Sequence, residues 1–271
     1  MNNMFRKIFI FFWKDLINMF SYKLGTVLYL IGLLIPLVIF YFLSQLVGDN
    51  AIPQIAKYSK EYFPFVLIGI AFSNYFIFGM NSLSASIRNE QMMGTLEAML
   101  STPTSIPTII FSSVIFDFIL TSLQIFLYIF LGIVVFNADI YLSKIIPTLI
   151  MLIFTISSFG VFGILSASFI IVFKKGNPIS MLITQTSILF GGVYFPFEML
   201  PDWIQFVSKC LPMTYALRGM RLLLLQGAEI TEILPDLIFL ILFSVIFLPI
   251  SIWIFKVSVQ KAKKDGTLIQ Y

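Results

Sequence analysis

The sequence has no histidine and a single cysteine, Cys210, among 271 residues. One thiol cannot form a disulfide within the chain, so cysteine usage points to no oxidising compartment. The lack of histidine removes the usual general base near neutral pH and the common zinc ligand sets. Cys210 reads as a small apolar packing residue, and no metal site is expected. Charge is scarce as well, with Asp, Glu, Lys and Arg making up 11% of the residues. No Gly-x-Ser-x-Gly elbow, no Walker phosphate loop and no paired carboxylates within helical reach appear in the apolar stretches. Catalytic residues are therefore expected to be none, and the chain has no recognisable means of binding ATP by itself. The net charge of +4 is no nucleic-acid signal, because the basic residues are not clustered with aromatic stacking partners on a polar face.

What is abundant is apolar surface. The chain is 59% hydrophobic and 17% aromatic, with a mean hydropathy of +0.99. A soluble domain could not bury so much, which makes an all-α polytopic membrane protein the expected class. The apolar runs are continuous over about 20 positions rather than alternating, which disfavours a barrel. Six transmembrane helices are expected, at about 24–47, 62–83, 108–136, 145–173, 178–194 and 234–255. Each is long enough to cross a hydrocarbon core of about 30 Å. Pro178 suits the first turn of the fifth.

Ahead of the spans, residues 1–23 read as an amphipathic interfacial helix. Phe5, Ile8, Phe9, Phe12, Leu16, Met19 and Phe20 share one face, and Lys7, Lys14, Asn18 and Ser21 share the other. The apolar run 8–13 is cut off by Lys14 and Asp15, which does not suit a secretory signal. With the N-terminus inside, eleven lysines and arginines fall on the inner side and six on the outer side. The outer pieces carry eight of the thirteen acids. That bias places both termini in the cytoplasm of a multi-pass protein of the cell (inner, cytoplasmic) membrane.

Two polar interruptions stand out. Residues 88–101 read as a short cytoplasmic helix, with Met92, Leu96, Met99 and Pro103 on one face and Glu90, Gly94, Glu97 and Ser101 on the other. Pro103 ends it. On the outer side, residues 195–227 suit a re-entrant hairpin: a helix from 201 to 211, a break at Pro212 and a second helix carrying Arg218 and Arg221. Two cations one turn apart make a full lipid-facing crossing costly, and shielding by protein avoids that cost.

The order of residues in both segments resembles the membrane subunit of type-2 ATP-binding-cassette (ABC) exporters. Glu90, Gly94-Thr95-Leu96-Glu97, Leu100 and Pro103 follow that family's coupling segment, with Met92 and Met93 where the family usually carries charge. Gly-Val-Tyr-Phe-Pro-Phe-Glu at 192–198, Leu-Pro-Asp-Trp at 200–203, Leu-Pro-Met-Thr-Tyr-Ala-Leu at 211–217 and Met-Arg at 220–221 follow its C-terminal signature. Arg218 stands where the family is often acidic or apolar. The resemblance covers nearly the whole chain.

It implies a permease subunit of an ATP-driven exporter that moves an amphipathic, lipid-linked or drug-like substrate out of the cytoplasm or inner leaflet. The chain would then be no enzyme and hold no cofactor. ATP and Mg would sit on two copies of a separate ABC ATPase, and a second permease copy would complete a homodimer, or a dimer with a similar partner, among membrane lipids. The ATPase-coupling residues would be Arg88, Glu90, Gly94, Thr95, Leu96, Glu97 and Leu100. The outer gate hairpin would use Pro196, Glu198, Pro201, Pro212 and Tyr215. Asn74, Asp117, Gln124 and Gln185 are polar residues within the spans that could line a substrate path, and are otherwise inter-helix hydrogen-bonders. Asp117 admits a competing reading, a proton-coupled secondary transporter built on that carboxylate. A membrane-embedded lipid-modifying enzyme is disfavoured by the missing histidine and the lack of clustered acids.

Overall fold

The computed structural model describes residues 21, 23–47, 53–92, 106–173 and 178–264. The expected interfacial helix over 1–23 and the segment 93–105 fall almost wholly outside the described residues. The described ones are helical with short connections: α1 Lys23–Val47, α2 Pro53–Ala56, α3 Tyr62–Met92, α4 Ile106–Val134, α5 Ile145–Phe173, α6 Pro178–Phe190, α7 Asp202–Cys210, α8 Pro212–Gln226 and α9 Ile230–Lys264. Single 3-10 turns, Leu142–Lys144 and Phe197–Met199, precede α5 and α7. Among the described residues no strand occurs. Four helices, α3, α4, α5 and α9, carry stretches long and apolar enough to cross a membrane, while α1 and α6 offer the shorter apolar runs Ile31–Val47 and Ser180–Phe190.

Helix α3 is the centre. Of its apolar stretch, 78% is buried against other helices, compared with 22% for α9, and it touches α1, α4, α5, α6 and α8. The most extensive pairings are α5 with α9, α5 with α3 and α3 with α4. A cluster at one end joins Leu83 and Ile87 of α3, Ile164, Ala167 and Ile171 of α5, and Phe255, Val259 and Ala262 of α9. These are the C-terminal halves of all three helices, so α3, α5 and α9 run in the same direction. Arg88, Lys256, Lys261 and Lys264 lie at this end. A larger cluster at the other end gathers Phe65, Leu67, Phe76, Met151, Met213, Leu217, Leu223 and Leu240, so α8 and the start of α9 close the bundle there.

Apolar residues alone do not bring membrane helices together, since lipid is as apolar as leucine; close packing and hydrogen bonds do. The α3/α5 crossing uses Gly79 and Gly163. A Cβ on Gly163 would overlap the Gly79 carbonyl oxygen, and one on Gly79 would stand 3.1 Å from the Phe159 Cβ. The α5/α9 pairing uses hydroxyls: Ser158 and Ser244 lie 2.9 Å apart, and Ser158 Oγ also approaches the Leu240 carbonyl at 3.2 Å.

Several bounds differ from the sequence expectation, each for a local reason. Helix α3 continues past 83 to Met92, so Arg88 and Glu90 belong to the same rod as the second expected span. Nothing in 84–92 breaks it, as Ser84 folds its hydroxyl back onto the Met80 and Asn81 carbonyls. Helix α6 stops at Phe190 rather than 194, because Gly192 takes a left-handed conformation (φ 87°). Helix α9 extends beyond 234–255 at both ends. The hairpin helices sit within one or two residues of expectation, with Pro212 at the first position of α8 and Gly227 as its left-handed C-cap.

Replacing Gly163 with leucine should separate α3 from α5. The expected loss is about 3 kcal/mol or more, beyond ordinary overpacking because backbone must move. Gly160→Leu, where a side chain meets open space, should be near neutral. Thermal unfolding of both variants in one detergent checks the contrast.

Candidate functional site

At the hairpin end, the site is built around one buried cation. Arg221 of α8 is 3% exposed. Its Nε donates to the Phe65 carbonyl (3.2 Å), Nη1 to Gly192 (2.7 Å) and Nη2 to Val193 (2.9 Å), and the guanidinium lies 3.4 Å from the centroid of the Phe65 ring. The turn after α6 makes this possible, since the left-handed Gly192 lets two successive carbonyls face one guanidinium. Gly69 makes room for it: a Cβ there would overlap the Val193 carbonyl oxygen and stand 2.7 Å from Arg221 Nη2. Three carbonyl dipoles and a ring face replace the water that the cation gives up. Arginine suits this because its planar fork reaches separate acceptors at once.

Around it, further polar contacts tie the hairpin to the rest. The Tyr58 hydroxyl donates to Glu198 Oε1 at 2.9 Å, and the Tyr62 hydroxyl to the Tyr194 carbonyl at 3.1 Å. Burial pushes the Tyr58 hydroxyl above its ordinary pKa, and the neighbouring Glu198 carboxylate adds to the shift; Tyr58 therefore stays a neutral donor. The second Glu198 oxygen is buried and meets no donor among the described residues. Gln205 of α7 closes the turn by donating to the Leu200 carbonyl (2.8 Å). Tyr215 stacks on Phe239 with ring centroids 3.8 Å apart, and its hydroxyl donates to the Lys209 carbonyl.

Next to that stack, Arg218 forms an ion pair with Asp236 of α9, its Nε donating to both carboxylate oxygens at 2.9 and 3.0 Å and its Nη2 to Oδ1 as well. Asp236 is 1% exposed and Arg218 33%. Both arginines read in the sequence as obstacles to crossing thus have distinct partners. Asp236 was missed as a site residue. The available signal was an acid at the head of an otherwise uncharged span, one helix away from two unexplained cations.

The first hairpin helix, α7, turns an apolar face away from the rest of the described residues. Trp203 and Phe206 are 73% and 71% exposed, and Val207 and Cys210 are also exposed.

The intramembrane polar residues divide into two places. Asn74, Asp117 and Gln124 lie along the α3/α4 interface: Ser82 Oγ donates to Asp117 Oδ2 (2.9 Å), Gln124 Nε2 to the Tyr128 hydroxyl (3.2 Å), and Asn74 Nδ2 to its own helix at Ile70 (2.9 Å). Tyr75 extends the row through Ser122 at 2.9 Å. Gln185 sits elsewhere. It lines a cleft of about 380 Å³ between α3 and α6, backed by Ile170 of α5, together with Asn81, Ser84, Arg88, Ser180 and Thr184. This cleft lies at the end of α3 opposite the hairpin, beside Arg88. Gly94, Thr95, Leu96, Glu97 and Leu100 lie outside the described residues, and for Glu90 the backbone alone is described.

A family model described as ABC-2 type transporter matches residues 6–225. Among curated proteins no match is found.

Arg221→Lys should not rescue the cage, since one ammonium cannot serve three separated carbonyls. A loss of about 3 kcal/mol is expected, read as a lowered melting temperature with faster tryptic cleavage at exposed Lys209. Asp236→Asn should cost about 2 kcal/mol, less than for a fully buried pair because Arg218 is partly solvated. The double replacement Arg218→Met/Asp236→Leu should recover part of that loss in the same melting assay.

Proposed function

Because the chain belongs to the ABC-2 type transporter family and is a membrane permease component rather than a catalyst, we propose that it is the permease of an ATP-driven exporter for amphipathic substrates. In this reading α1, α3, α4, α5, α6 and α9 are the six spans, with both termini and the Arg88 end in the cytoplasm. Helix α6, about 20 Å long by itself, completes its crossing through the turn at 191–196. Two ATPase subunits dock on the segment 88–101 of two permease copies. ATP and Mg stay on those subunits.

The observation that carries the reading is the continuity of α3. One uninterrupted rod of 31 residues, about 46 Å long, bears Arg88 and Glu90 near one end and Phe65 and Gly69, the seat of the Arg221 cage, near the other. A push delivered at the coupling segment moves the rod as a body, and the hairpin lock rides on it. The cleft beside Asn81, Arg88 and Gln185 lies at the pushed end, where an amphipathic substrate from the cytoplasm or inner leaflet would first meet polar side chains. The exposed face of Trp203, Phe206 and Val207 is available to lipid or to the second copy. Pro196, Glu198, Pro201, Pro212 and Tyr215 shape the hairpin as the release gate. The Ser82 hydrogen bond supplies Asp117 with a structural partner, which favours ATP-driven transport over a carboxylate proton relay.

Glu97→Lys should abolish co-purification of the ATPase while leaving the permease folded and in the membrane, and transport should cease. Retention of the ATPase by this variant would overturn the reading, as would transport that survives ATP depletion and collapses with an uncoupler.

A further inference from the structure

A second concavity, of about 650 Å³, lies outside everything used above. It runs along the outward face of α9 beside α5, lined by Phe154 and Ser157 of α5 and by Ser244, Val245, Leu248, Pro249, Ile252, Trp253 and Lys256 of α9. Its origin is local. Pro249 has no N–H to give the Val245 carbonyl, and its ring crowds that carbonyl, so the helix cannot pack there as a regular cylinder. The small Ser157 and Ser244 leave the space unfilled. Val245 and Trp253 are 65% and 64% exposed, so none of the described residues covers the groove.

Length and charge together select the occupant. From Val245 to Lys256 the groove extends about 16 Å along the helix, half of a hydrocarbon core of about 30 Å. An acyl chain confined to one leaflet has that reach. Lys256 ends the groove as the first cation after the apolar run, exposed, and with no carboxylate within ion-pair distance among the described residues. Trp253, one turn before it, is the residue type that sits at headgroup level. We infer that this groove is a binding site for one anionic membrane phospholipid, its acyl chain lying along Val245–Ile252 and its phosphate held by Lys256. A zwitterionic lipid fits the apolar part equally but presents no net charge to the lysine. The inference requires only that α9 crosses a bilayer, and it stands or falls separately from the coupling to an ATPase.

Trp253 is a built-in reporter. With Trp13 and Trp203 replaced by phenylalanine, the full chain is placed in nanodiscs containing equal fractions of brominated phosphatidylglycerol or brominated phosphatidylcholine. Trp253 quenching then gives the relative affinity. The expected result is about a fivefold preference for phosphatidylglycerol, the effect of one cation on one anionic head near a membrane surface. Lys256→Gln should bring the ratio near one, and Lys256→Arg should keep it. Ser157→Phe should lower quenching by the anionic lipid by filling the groove. Equal quenching by the two lipids in the parent chain would overturn the proposal. So would a preference that survives Lys256→Gln, is lost in Lys256→Arg, or is insensitive to Ser157→Phe.

Discussion

A guanidinium with no water around it must be surrounded by acceptors, and the placement of Arg221 follows from that requirement. Its three hydrogen bonds end on carbonyls from two distant segments, α3 at Phe65 and the turn at Gly192 and Val193. The Gly192 and Val193 carbonyls lie outside any helix and so have no helical N–H to accept from. The cation and the irregular turn therefore satisfy one another. That is why a non-helical stretch can sit between α6 and α7, and why Gly69 cannot carry a side chain.

The same helix organises the opposite end. Parallel α3, α5 and α9 meet in a second apolar cluster and approach closely where glycine or serine replaces bulk. Interiors packed in this way are stiff, so displacement at one end reaches the other without being absorbed. Under the proposed function, a push at the Arg88 end would reach the hairpin in this manner. Asp117, which by residue type invites a proton-relay reading, is held by a serine of α3, and a second α3–α4 hydrogen bond joins Tyr75 to Ser122, while Gln124 bonds Tyr128 within α4.

Several sites arise where this packing is imperfect. Pro249 opens a groove on the outward face of α9, and the short α6 leaves a polar cleft against α3. The groove owes its space to Ser157 and Ser244 beside a proline-interrupted helix, and the cleft is lined by Ser84, Ser180 and Thr184. The hairpin leaves the aromatic face of α7 uncovered, and an exposed apolar face of that kind is stable only in a membrane or against another subunit.

What the sequence determined by itself was local in origin. Continuous apolar runs established the helical membrane class, residue order established the family, and proline and glycine marked the ends of α6, α7 and α8 to within a few positions. Hydropathy and chain punctuation act over one helix at a time, so they can be read from a single stretch. The tertiary structure decided what depends on residues far apart in the chain. It paired Arg218 with Asp236 and Arg221 with backbone of α3, separated Gln185 from Asn74, Asp117 and Gln124, and ran three helices in one direction. It also carried α3 through Arg88, where the sequence pattern starts a separate cytoplasmic helix. A charged side chain at a known spacing states that a partner is needed; which partner answers is settled only when the helices pack.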